Sequence, residues 1–173
     1  MHLTLALFTI LCVWQTGAWR DWRKYHHTMM YFALGNLTYN FLTANYFLWK
    51  MIPDVLPNHS LTEMVYTFVV FPASALMFLY RYPADSKQKL WHYVKWIGIY
   101  IVAEWFFTTN GRMSYQHGWS LMWSALFDVT MFPMLRLQYK RPLVAYIFSV
   151  AMCVFWLWLF EVPVDVPIEQ RGG

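Results

Sequence analysis

Six apolar runs dominate this sequence, at about residues 3–18, 28–49, 61–80, 91–109, 119–137 and 143–160, each 16 to 22 residues long. An α-helix rises about 1.5 Å per residue, so about 20 residues cross the ~30 Å of hydrocarbon in a bilayer. The run lengths therefore predict an all-α fold: one domain, residues 1–173, built as a polytopic transmembrane helical bundle of six spans.

Composition agrees with that solvent. Only 13% of residues are charged while 59% are apolar and 21% aromatic, against about a quarter charged in soluble proteins. The expected partner is the lipid bilayer, with a homo-oligomer or another membrane protein as a further partner. The net charge of +4 could suggest nucleic acid, but the Lys and Arg residues fall in short clusters between the runs and form no single basic face. No nucleic acid is expected. Cys12 and Cys153 are isolated in separate runs, so neither a disulfide nor a thiolate metal site is indicated.

The distribution of basic residues orients the bundle. Arg20, Arg23, Lys24, Arg81, Lys87, Lys89, Arg136, Lys140 and Arg141 lie in the first, third and fifth connections, and Lys95 joins them from just inside the fourth run. Lys50, Arg112 and Arg171 lie on the other side. Cytoplasmic loops carry the excess of Lys and Arg, so both termini are expected to be extracytoplasmic, with residues 161–173 an acidic tail. The first run has no Lys or Arg before it and three after it, the wrong polarity for a cleaved signal, and reads as a retained span. Trp19, Trp22, Trp49, Trp91 and Trp119 lie at run ends, where interfacial anchors belong. Pro72, near the middle of the third run, is expected to bend it, because its ring removes a backbone donor.

The polar residues inside the runs are the informative minority. An ionisable side chain at hydrocarbon depth costs roughly 3 kcal/mol on insertion scales, so its presence calls for pairing, protonation or function. Glu104 and Asp128 are such residues, on the two runs joined by the turn Asn110–Gly118. Helical spacing aligns Tyr100 with Glu104, Ser120 and Ser124 with Asp128, and Asn36 with Asn40 and Thr43. Three polar stripes on three helices suggest one shared, outward-opening cavity with Glu104, Asp128, Asn40, Asn36, Ser124 and Tyr100 as its candidate residues. Two readings stay open. In one, the carboxylates handle protons or cations. In the other, Glu104 pairs with Arg112 or reaches the headgroups, and Asp128 is protonated or held by Ser124 and Asn40 as packing glue. Arg112, Tyr115 and His117 in the outer turn are candidates for a surface ligand contact.

Several chemistries lack their residues. A retinal Schiff base needs a lysine near mid-membrane, and paired haem ligation needs histidines within facing helices, but His2, His26, His27, His59, His92 and His117 all sit at or beyond run ends. No GxSG serine motif, HExxH zinc motif or glycine-rich phosphate loop occurs. No metal, cofactor or catalytic residue is therefore expected, and an enzyme is the less favoured class.

Glu104-Trp105, followed by Gly111, Tyr115, Gly118-Trp119, Ser124, Asp128 and Pro142, resembles an uncharacterised family of small multi-spanning proteins from spore-forming Gram-positive bacteria. The resemblance covers about the last half of the chain. It implies a bacterial cytoplasmic-membrane location and a special role for the turn between the fourth and fifth spans, with no substrate attached. The expected function is transport of protons, ions or a small solute through the acid-containing cavity. The alternatives are a structural or sensory membrane subunit acting through a partner, and an integral-membrane enzyme on a lipid substrate.

Overall fold

A computed structural model describes residues 1–171, so the last two residues of the acidic tail lie outside it. Six helices account for most of the chain: α1 (His2–Thr16), α2 (Trp22–Leu42), α3 (His59–Tyr80), α4 (Ser86–Thr109), α5 (Leu121–Lys140) and α6 (Pro142–Leu159). By length and composition two of them, α3 and α6, are apolar enough to cross a membrane, and α1 joined to the segment Ala18–Leu42 makes a third if that bent pair is one span. The others fall short because of their polar residues. Arg23, Lys24, His26 and His27 open α2, Lys87, Lys89 and Lys95 open α4, and Arg136 and Lys140 close α5.

The helix ends sort into two groups. At one end, His2 Nε2 lies 2.8 Å from the Ile52 carbonyl, and the amino-terminal ammonium pairs with Asp54. In the tail, Arg171 Nη1 donates to the Leu42 carbonyl at 2.8 Å, and the Asn45 amide donates to the Ile168 carbonyl at 2.9 Å. Short strands β1 (Trp49–Met51) and β2 (Met113–Tyr115) pair antiparallel here, with Trp49 opposite Tyr115 and Met51 opposite Met113. At the other end Arg136 stacks 4.2 Å over the Tyr82 ring, and Tyr25 packs on Tyr139. The nine basic residues of the first, third and fifth connections, together with Lys95, thus share one end with Tyr82 and Tyr139. Lys50, Arg112 and Arg171 share the end that carries the small sheet.

The largest differences from the expected boundaries lie at the two ends of α2, while α4 starts five residues early, at Ser86, and α5 ends three residues late, at Lys140. The second run was expected to stay helical to Trp49, but α2 begins earlier, at Trp22, and ends at Leu42. Thr43 Oγ1 returns to the Tyr39 carbonyl, Asn45 takes a left-handed φ of 61°, and the chain folds back. Trp49 then stacks flat on Tyr39, with centroids 3.7 Å apart, while the Tyr39 hydroxyl bonds both its N–H and its carbonyl. An aromatic residue with good strand propensity is better satisfied there than in another helical turn. In α3, Pro72 is accommodated by a π turn at Tyr66–Val70, which widens the helix just ahead of the ring.

At Gly17 the chain bends by 81° between α1 and Ala18–Leu42, and the glycine takes φ 73° where a side chain would be strained. The core sits toward the basic end. Phe132 is wholly buried there, with Phe78, Trp96 and Tyr100 around it at centroid distances of 5.1 to 6.0 Å. A second, aromatic cluster closes the sheet end, with Trp119 between Trp49 at 4.7 Å and Phe160 at 4.9 Å. Trp49 and Trp119 therefore pack within the cap, against the expectation that they lie at an interface, whereas Trp19, Trp22 and Trp91 are exposed. Burial of their large rings within the cap explains the difference.

Candidate functional site

Glu104 stands five residues before the end of α4, and Asp128 seven residues after the start of α5, so both fall in the half of the bundle nearer the sheet. They have different surroundings. Glu104 Oε1 accepts a hydrogen bond from the Tyr115 hydroxyl at 2.7 Å and another from the Ser124 hydroxyl. The Ser124 oxygen in turn accepts the Trp119 indole N–H at 2.8 Å. Asp128 is 5% exposed, and its Oδ2 has no hydrogen-bond partner. The buried hydroxyl of Tyr100 is likewise unpartnered.

These groups share a cavity of about 1150 Å³ lined by residues of all six helices. Asn36, Tyr100, Glu104, Ser124 and Asp128 line it, as five of the six expected residues. Asn40 does not. Its amide turns to the carbonyl of Asn36 at 3.0 Å and to Glu63 Oε2 at 3.2 Å. Since α2 stops at Leu42, Asn40 lies only two residues from the helix end and not at the depth that a helix running to Trp49 would give it.

The partnerships suggested for the two acids also differ. Arg112 does not pair with Glu104, because its Nη1 reaches the Pro53 carbonyl at 3.4 Å. Ser124 is taken by Glu104 and Asn40 by Glu63, so neither holds Asp128. In the outer turn Tyr115 joins the site through Glu104. Burial raises its phenol above the ordinary range, and the neighbouring carboxylate adds to the shift. His117 stays outside, exposed at a left-handed φ of 52° and stacked 3.5 Å from Tyr46.

Glu63 is the acid that sequence reasoning passed over. It is 6% exposed on α3, and its Oε2 receives the amides of Asn36 at 3.1 Å and Asn40 at 3.2 Å. The Asn36 amide also donates to Thr67 at 2.8 Å. Glu63 lies within an apolar run at i, i+4 from Thr67, the same signal that singled out Glu104. No group of three or more His, Cys, Asp or Glu side chains suited to a metal ion occurs among the described residues. No protein family, curated protein or solved structure matches the chain.

Proposed function

We propose that the chain is a six-span protein of the bacterial cytoplasmic membrane with both termini extracytoplasmic, and that its cavity passes protons, ions or a small solute. A bilayer accounts for the outer faces of α1, α4 and α6. Leu7 is 62% exposed, Val102 62% and Ile147 71%, in rows that water would not tolerate on a monomer. The two-ended sorting of the loops and the ten-to-three split of basic residues support alternating spans.

One observation supports the transport reading: Asp128 lines the same cavity as Glu104, and its carboxyl group receives no hydrogen bond from another side chain or backbone group among the described residues. A carboxylate serving only as glue between helices would direct its hydrogen bonds to the neighbouring helix, as Glu63 does through Oε2 with Asn36 and Asn40, its Oε1 being unpartnered. The difference supports bundle cohesion for Glu63, which does not line the cavity, and the conducting role for Asp128, which does. The test is proton and cation flux into proteoliposomes for wild type, Asp128→Asn and Glu104→Gln, beside thermal unfolding of each. Loss of flux at unchanged stability supports transport. Loss of stability with no flux in any form supports the structural-subunit alternative.

A further inference from the structure

The cavity is far larger than a proton or ion path needs, and its wall is mostly apolar. Ligand pockets for drug-sized molecules occupy about 300–1,000 Å³, and this one reaches about 1150 Å³. It is not closed to the side. Neither α1 with α4 nor α2 with α6 packs closely along its length, and α2 meets α6 through Tyr31, which bonds Ser149 at 2.6 Å and packs against Tyr146. The wall in those two places is made by exposed apolar residues, Phe8 and Ile99 in the first and Leu34 and Val154 in the second. In a bilayer both gaps face acyl chains.

Charge is distributed unevenly along the chamber. The acids Glu104 and Asp128 lie toward the sheet end, with the ring systems of Trp119, Phe127 and Trp156 on the adjoining wall. The basic wall residues Arg81 and Lys95 lie toward the other end and are exposed, so solvent or headgroups satisfy them. A cavity-lining carboxyl group that receives no hydrogen bond, beside aromatic faces, suits a cationic group, because both carboxylate and ring quadrupole attract it in a medium that screens little.

We infer that the chamber binds a lipophilic cation, an alkyl or aryl body carrying an amine or quaternary ammonium, which reaches it sideways from the bilayer. The cationic head lies between Asp128, Glu104 and the Trp119–Phe127 wall, and the apolar body lies along α1 and α2 toward the basic end. This rests on the membrane-spanning reading above and names the substrate class of that site.

The test uses the full chain in lipid nanodiscs and three probes with one chain length: dodecyltrimethylammonium, dodecanol and dodecanoate. Each is titrated by tryptophan fluorescence, with thermal unfolding as a second readout. Wild type is expected to bind the cation at least about tenfold more tightly than the alcohol, the advantage of a charge-assisted contact over a neutral one. In Asp128→Asn and Glu104→Gln that advantage should shrink to about threefold or less, while dodecanol binding is unchanged. Ala103→Phe, which fills the chamber but keeps both acids, should weaken cation and alcohol alike. Lys95→Gln should leave the preference intact.

Equal affinity for cation and alcohol in wild type would overturn the inference, as would tighter binding of dodecanoate that is lost in Lys95→Gln. Should either acid variant unfold, the wild-type cation preference and the Ala103→Phe result still decide it. The two proposals fail separately. Proton flux without selective cation binding removes this inference and leaves transport standing, and selective binding without flux does the reverse.

Discussion

Ser124→Ala is the most informative single change, because one hydroxyl joins three helical and loop elements. Its oxygen accepts the indole N–H of Trp119 at 2.8 Å, and its proton goes to Glu104 Oε1. Hydrogen bonds inside membrane bundles average about 0.6 kcal/mol and reach about 1.7. The bond to the carboxylate belongs at the upper figure. The indole N–H, on a residue only 6% exposed, is left buried without an acceptor, which adds about 1 kcal/mol. The expected loss is about 2–3 kcal/mol, or about 30-fold or more in the folded-to-unfolded ratio. Tyr115→Phe removes one bond from the same oxygen, at a half-exposed position, and should cost about 1 kcal/mol. With both donors gone Oε1 has no protein partner, so the double variant should lose more than the sum, by about 0.5–1 kcal/mol. The assay is reversible unfolding in mixed micelles titrated with SDS, for wild type, both single variants and the double. A Ser124→Ala loss below about 0.5 kcal/mol with strict additivity would show that Glu104 is not held as described.

Further outcomes follow from other parts of the molecule. Phe132→Ala, at the wholly buried centre of the core, should cost about 3–5 kcal/mol in the same micelle titration. Gly17→Val places a β-branched residue at φ 73° and should destabilise by about 1–2 kcal/mol, whereas Gly98→Ala, whose added methyl meets nothing within 4 Å, should gain roughly 0.5–1 kcal/mol. The Tyr115 phenol is raised by burial and by Glu104, so the folded state holds its proton above the unfolded pKa of about 10. Its stabilising contribution is complete below that pH and is lost as pH rises through the higher folded value. Tyr115→Phe should therefore flatten the alkaline fall in stability, and the 295 nm difference spectrum against wild type should show this phenol ionising late. In a background lacking Cys12 and Cys153, cysteines at Val55 and Val164 should react with an impermeant maleimide in intact cells and one at Gln88 should not; the opposite pattern would invert the proposed orientation.

The helices were legible because long apolar runs have few alternatives, and the two-ended arrangement was legible because Lys and Arg were biased before any contact was known. The end of α2 was not. Nothing local tells that Trp49 is worth more stacked on Tyr39 and paired with Tyr115, a residue 66 positions away, than in a further helical turn. Asn40, still within α2, lies outside the expected cavity with its amide bonded to Glu63 and the Asn36 carbonyl. Asn36, on the same stripe but one turn deeper, lines it while also holding Glu63. Periodicity grouped Asn36 with Asn40 and left open which neighbouring helix would claim each.

The π turn in α3 explains why one stripe can serve two purposes. In an unbroken α-helix Glu63, Thr67 and Ser74, at spacings of four and seven, would share a face. The five-residue turn at Tyr66–Val70 adds a residue between them and rotates the second half of α3 relative to the first. Glu63 and Thr67 consequently meet Asn36 on α2, whereas Ser74 lines the cavity beside Tyr100. Tyr66, inside the wide turn, reaches back to His2 Nδ1 at 2.9 Å and ties α1 to the same place. Pro72 cannot donate a backbone hydrogen bond, so a regular α-turn would recover less there than elsewhere in the helix. The proline thus favours the irregular turn. That turn sets Glu63, which is bonded to α2 through Oε2, apart from the cavity-lining Asp128, whose carboxyl group receives no hydrogen bond.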